Sequence, residues 1–234
     1  DNMYSRGPHF YIYIVVYFGA ILYLSASTVI TAREFQNRSR LLIYPLILFV
    51  MAETIIQVAL PELHVTWLCV TLLSVLYFIY CSEMWNQLDA LTGLLNQNSY
   101  LKQTGGVRCK GGVLVVFDVD DFKQINDRYG HIQGDLCLAG IAECIKKSYA
   151  NFGYCYRIGG DEFCVLLKNG GNEGRCKQEF LQRLQEKRGE IAFLPTVSYG
   201  SAPFSGEDIV KVKDRADQNM YQYKKERKNR KRLS

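Results

Sequence analysis

The chain has 234 residues, 28 Lys and Arg against 23 Asp and Glu, a formal charge of +5 and 48% hydrophobic residues. Those averages conceal two unlike parts: residues 1–84 hold four basic side chains (Arg6, Arg33, Arg38, Arg40) and five acidic ones (Asp1, Glu34, Glu53, Glu62, Glu83), which leaves 24 basic and 18 acidic for residues 85–234. A charge-poor half joined to a charge-rich half excludes a single soluble domain; the eight cysteines, scattered through apolar runs with no CxxC pair, exclude a disulfide framework or zinc site and read as buried thiols in a reducing compartment.

Residues 10–30 carry no charge, 41–60 carry only Glu53, and 65–82 again carry none. A bilayer core of about 30 Å takes roughly 20 helical residues, so the runs predict three transmembrane helices at about 10–30, 41–60 and 65–82, within a membrane region 1–84. Residues 31–40 hold Arg33, Arg38 and Arg40, whereas 61–64 hold no Lys or Arg, which places the first loop and everything after Ser82 in the cytoplasm. The first residue is Asp1 rather than Met, which leaves room for helices upstream. Glu53, without a second intramembrane charge to pair with, reads as a carboxyl hydrogen-bonded to its neighbours.

Past Ser82 the third helix is expected to continue through Leu88, Leu91, Leu94 and Leu95, with no Gly before Gly93 and no separate sensor module. Gly111-Gly112 opens the run Val113-Leu114-Val115-Val116-Phe117, β-branched and unbroken, which predicts a buried central strand. It ends in Asp118-Val119-Asp120-Asp121, whose carboxylates repel one another unless a cation or donors offset them. Helices are predicted over 121–129 and 133–149, strands over 154–158 and 163–167 joined at Gly159-Gly160-Asp161-Glu162, then a helix over 174–187, a strand over 191–198 and a helix over 206–228. That order implies an α+β layer fold with helices on one side of an antiparallel-containing sheet. If the hairpin pairs beside the 113–118 strand, Asp118, Asp161 and Glu162 converge as hard oxygen donors suited to Mg²⁺. The turn glycines Gly159 and Gly160 would let a nucleotide approach the backbone closely. Residues 224–232 hold seven basic side chains to one acidic, a tail suited to anionic lipid or, in its first turn, to a triphosphate.

The segment Arg157-Ile-Gly-Gly-Asp-Glu-Phe163 resembles the signature turn of the GGDEF family, the bacterial diguanylate cyclases. Asp89-Ala-Leu-Thr-Gly-Leu-Leu-Asn96 is similar to the family's opening motif, Phe117-Asp-Val-Asp-Asp-Phe-Lys-Gln-Ile-Asn-Asp127 to its central one, and Tyr129-Gly-His-Ile-Gln-Gly-Asp135 continues it. The resemblance, over about 89–229, implies a five-stranded central sheet with flanking helices, similar to the palm of nucleotidyl cyclases and polymerases, within a domain 85–234. It implies that two GTP molecules, one per domain of a homodimer, condense to cyclic di-GMP and two pyrophosphates with Mg²⁺ or Mn²⁺, and that nucleic acid is not a partner. By the resemblance Asp118, the carbonyl of Val119, Asp161 and Glu162 hold metal, and Asp161 or Glu162 assists deprotonation. Asn126 and Asp135 would read the guanine edge, favouring GTP over an adenine nucleotide, and Lys123, Lys224 and Lys228 would contact phosphates with the amides of Asp121 and Phe122. The expected location is the bacterial cytoplasmic membrane, with the lipid bilayer as a further partner. Lys228 stands where the family usually has Arg and Arg227 where it usually has Gly; an ammonium makes no bidentate phosphate contact, so weaker triphosphate binding is expected. Ala150 and Gly153 occupy the positions of the family's RxxD product-inhibition motif, so feedback through it is not expected. The alternatives are a catalytically inactive GGDEF domain serving as a GTP-binding or signalling module, a cyclase making an adenine-containing dinucleotide, and a membrane structural or transport protein.

Overall fold

The computed structural model describes residues 66–105, 111–168 and 170–233, with isolated helical positions between Ile12 and Ile56. It divides into two units, Asp1–Asn86 and Gln87–Ser234, near the point where the charge density changes.

In the first unit the described element is helix α1 (Thr66–Trp85). Its apolar side chains are exposed, Phe78 at 71% and Ile79 at 56% among them. Of the expected spans, 10–30 and 41–60 lie outside the described residues apart from isolated positions, and 65–82 falls on α1. Among the described residues no helix is long and apolar enough to cross a membrane, and the last turn of α1 carries the polar Ser82 and Glu83.

The helix does not run on through the leucines as expected. It stops at Trp85, and Leu88 instead forms an antiparallel bridge with Leu95. The cause is local: the Asp89 carboxylate accepts from the Thr92 amide (2.9 Å) and hydroxyl (2.7 Å), closing a turn completed by Gly93 at φ +64°. Asn96 then caps α2 (Gln97–Thr104), its side-chain oxygen accepting from the Ser99 amide at 2.9 Å.

Strand β1 (Gly112–Val119) follows, then α3 (Phe122–Tyr129), α4 (His131–Tyr149), β2 (Gly153–Arg157), β3 (Glu162–Leu167), α5 (Glu173–Glu190), β4 (Val197–Phe204) and α6 (Ile209–Leu233). The sheet is antiparallel in the order β2-β3-β1-β4, with β1 paired to β3 on one side and to β4 on the other. Among the described residues four strands form it, where the family resemblance implied five. Leu95 makes a single parallel bridge beside Tyr156, but Asn96 starts a helix at the next residue, so the edge never extends into a strand.

Helices cover both faces, not one. Along β1, Val113, Val115, Phe117 and Val119 enter one core with Leu138, Ile141 and Phe180, while Leu114 and Val116 enter a second with Tyr100, Val212 and Ala216. A strand apolar at every position must be covered twice, because successive side chains point to opposite faces. Each fully buried side chain of this kind stabilises by about 1.5–3 kcal/mol. Gly200 makes the second layer possible: a Cβ there would lie 2.2 Å from the Met220 amide nitrogen, so α6 rests its backbone directly on β4.

The fourth strand begins six residues later than expected. Ile191 and Leu194 pack into the core from a turn in which the Leu194 amide donates to Ile191 O (2.9 Å), and pairing starts at Val197 opposite Val119. Of the described cysteines, Cys137, Cys144, Cys155, Cys164 and Cys176 are buried free thiols, as the scattered spacing predicts, whereas Cys81 in α1 is free and only half-buried. Burial pushes Cys137 up to about 11 and Cys155 up to about 12, which keeps them protonated and unreactive.

Candidate active site

Two antiparallel neighbours end together at the site. Asp118, near the end of β1, is the register partner of Glu162, the first residue of β3, so the hairpin pairs where the sequence required. The tip is held by backbone bonds: Val119 N–H donates to Asp161 O (3.2 Å), and the amides of Ile158 and Gly159 donate to Glu162 O (3.0 and 3.3 Å). Gly159 and Gly160 are exposed at the turn.

Two residues that sequence reasoning quoted without assigning a role fix this tip. Arg157 donates from Nε and Nη2 to Gly160 O (3.2 and 2.7 Å) and from Nη1 to the Asp89 carboxylate (3.1 and 3.3 Å). Burial of Asp89 opposes its ionisation, but donation from the Thr92 hydroxyl and from Arg157 outweighs it and holds the carboxyl below its ordinary value. The signal available in the sequence was one unmatched opposite charge in each of two motifs.

The carboxylates after β1 diverge. Asp118 pairs with Lys224 of α6. Asp120 turns inward, its side chain 2% exposed, and accepts from the hydroxyls of Ser198 (2.7 Å) and Thr196 (3.0 Å) and from Arg227. Asp121 is exposed at φ +54°, a left-handed conformation that Asp tolerates better than most residues, and precedes α3; Lys228 lies 3.7 Å from it. Lys224 loses hydration by burial, yet the Asp118 and Asp120 carboxylates outweigh that and raise its pKa, so it stays charged. The repulsion expected among these acids is thus relieved by cations of α6 and hydroxyls of β4 and the turn before it.

Asp118, Asp161 and Glu162 do not gather into a ligating cluster: no group of three or more His, Cys, Asp and Glu side chains fit to hold a metal occurs among the described residues. The Asp118 side chain is engaged by Lys224 and Glu162 is exposed. The donors nevertheless suit a hard divalent cation, being carboxylates from facing strand ends, and the Lys224 ammonium shows that Asp118 accepts a positive charge at this place.

Lys123 is exposed and Phe122 half-buried in the first turn of α3. Asn126 lies against α4, its side-chain oxygen buried without a partner among the described residues, and a Cβ on Gly134 would fall 1.9 Å from that oxygen. Asp135, next in α4, is exposed. Asn126 thus packs beside Gly134, the chain neighbour of Asp135, with its side-chain oxygen unsatisfied.

The family described as "Diguanylate cyclase, GGDEF domain" matches residues 86–230. The chain belongs to that family. Among curated GGDEF relatives, "Probable diguanylate cyclase DgcI" of Escherichia coli K12 is 36% identical over 157 residues, covering 64% of this chain and 33% of that protein. Diguanylate cyclase DgcS of Shewanella oneidensis is 32% identical over 154 residues, covering 62% of this chain and 52% of that one. The chain therefore spans between a third and about half of these relatives. The solved GGDEF domain of DgcB from Caulobacter crescentus, in complex with c-di-GMP, is 26% identical with a TM-score of 0.50, covering 59% of this chain and 90% of that one.

Proposed function

We propose that the chain is a diguanylate cyclase that joins two GTP molecules into cyclic di-GMP with release of two pyrophosphates. The observation that carries this reading is the pairing of Asp118 with Glu162 at adjoining strand ends, with the Lys224 cation on Asp118. Each 3′-hydroxyl attacks the α-phosphorus of the other nucleotide, so two phosphodiester bonds form and two α–β anhydride bonds break. One domain holds one nucleotide, so the two domains face each other across a twofold axis.

Asp118, the Val119 carbonyl, Asp161 and Glu162 would hold Mg²⁺ or Mn²⁺, which supplies charge neutralisation at the triphosphate when bound. Asp161 or Glu162, beside the exposed Gly159 and Gly160, takes the 3′-hydroxyl proton. Lys123, Lys224 and Lys228 neutralise phosphate oxygens, and the amides of Asp121 and Phe122, at the start of α3, supply further donors to them. The unsatisfied Asn126 oxygen accepts from a guanine donor, and the Asp135 carboxylate accepts from another, which leaves adenine with unpaired groups.

Residues 1–84 anchor this domain to the bacterial cytoplasmic membrane. The charge-free runs of the sequence support that reading. The test is GTP turnover by the full chain in lipid nanodiscs with Mg²⁺, following pyrophosphate and cyclic di-GMP, with Glu162→Gln beside it. Product that vanishes in the variant supports the cyclase. A folded chain that binds GTP and forms no product would instead be a GTP-binding signalling module.

A further inference from the structure

α6 sets three cations against three carboxylates: Lys224 on Asp118, Arg227 on Asp120 and Lys228 near Asp121. The middle pair differs from the others in depth. The Asp120 side chain is 2% exposed, against 18% for Asp118 and 54% for Asp121. A carboxylate so deeply placed needs a cation as well as hydroxyl donors, because removing it from water is costly.

Arg227 meets that need with geometry to spare. Its guanidinium reaches Asp120 and the Thr196 hydroxyl, and donates to Val197 O at 3.1 Å, so it is tied to β4 and to the turn before it. The other cation near Asp120 is Lys224, whose ammonium lies 3.5 Å from it while paired with Asp118. Lys224 therefore stands between two acids, one buried and one at the mouth of the site. With a neutral side chain at 227, the buried acid would draw Lys224 inward.

We propose that Arg227 is a positioning residue that neutralises Asp120 and so keeps Lys224 available to the triphosphate of a bound nucleotide. The inference rests on the reading of this site as a GTP site and adds the reason for an Arg at 227. Lys224 and Lys228 flank Arg227 on the same stretch of α6, so the clamp on β4 also fixes the helix from which both extend.

The test is GTP affinity of the full chain by calorimetry without added divalent cation, so that no turnover intervenes. Arg227→Met is expected to weaken GTP binding about tenfold, as Lys224→Met does, the loss typical of one charge-assisted contact. The double variant should bind no more weakly than either single one, because both lose the same contact. Adding Asp120→Asn to Arg227→Met removes the buried charge and should restore affinity to within about threefold of the parent. Arg227→Lys keeps the charge should Arg227→Met not fold, and should bind as the parent does. Additive losses in the double variant, or no recovery with Asp120→Asn in a protein whose β4 amides remain protected from exchange, would overturn the positioning role. A folded parent chain that binds no GTP would overturn the nucleotide reading itself, and with it this inference.

Discussion

The Arg157–Asp89 bridge offers a quantitative test of how the hairpin tip is held. Asp89→Asn keeps the size of the side chain and its approach to Thr92 but removes the charge facing Arg157, while the two bonds from Arg157 to Gly160 O survive. Both partners are well covered, with side chains 15% and 24% exposed, so solvent screens the pair only partly. A hydrogen bond to a charged group contributes about 1.5–3 kcal/mol; with partial exposure and the surviving bonds the expected loss is about 1–2 kcal/mol, or roughly 5–30-fold in a local opening equilibrium. Hydrogen exchange of peptides covering 153–167 reads that factor directly, since the amides of Ile158 and Gly159 are bonded to Glu162 O in the closed turn. The pH dependence has a definite sign. The Asp89 pKa is lowered in the folded protein, so its stabilisation is present above the ordinary carboxylate value of 3.8 and is lost as pH falls through the lower folded one. Exchange rates of Asp89→Asn and parent should converge in that acid range. Equal rates at pH 7, or a slowing confined to regions away from the hairpin, would refute the bridge as what holds the tip.

Gly134→Ala places a methyl where the Asn126 oxygen now lies, and a side-chain end can swing aside; discrimination between GTP and ITP in a binding assay should fall severalfold while thermal stability holds or rises, since Ala favours a helix by about 1 kcal/mol. Gly200→Ala meets the backbone of α6 instead, with Met220 N at 2.2 Å and Ala216 O at 2.3 Å, so denaturant titration should show a loss of about 1–3 kcal/mol, with GTP affinity falling as Lys224 and Lys228 shift. Phe117→Ala removes the ring that meets Tyr149 edge-on (5.7 Å) and Phe180 (5.2 Å), and should cost about 3–5 kcal/mol in the same titration. Burial keeps Cys137, Cys155 and Cys164 protonated, so thiol labelling of the native protein at pH 8 should be slow at these positions and become fast in denaturant.

Local pattern alone determined the β1 run, the Gly-Gly turn between β2 and β3, and the carboxylates at the ends of β1 and the hairpin, because strand period and turn chemistry are properties of neighbouring residues. The family motifs likewise stand in the sequence in order. Covering β1 on both faces follows from its unbroken apolar run, yet the helix order alone suggested one layer; the close approach of α6 to Gly200 supplied the second. Where β4 starts was not legible in the apolar run 191–198, since Ile191 and Leu194 are as buried in a turn as they would be in a strand. The pairing of charges was decided by tertiary structure throughout. Lys224 and Asp118 are 106 residues apart, and Arg227 and Asp120 are 107 apart. Sequence spacing could bring acids and bases to one end of the sheet, but which acid turned inward depended on the register of β4 against β1 and on the seat of α6, because the stability of a buried charge is set by the donors packed around it.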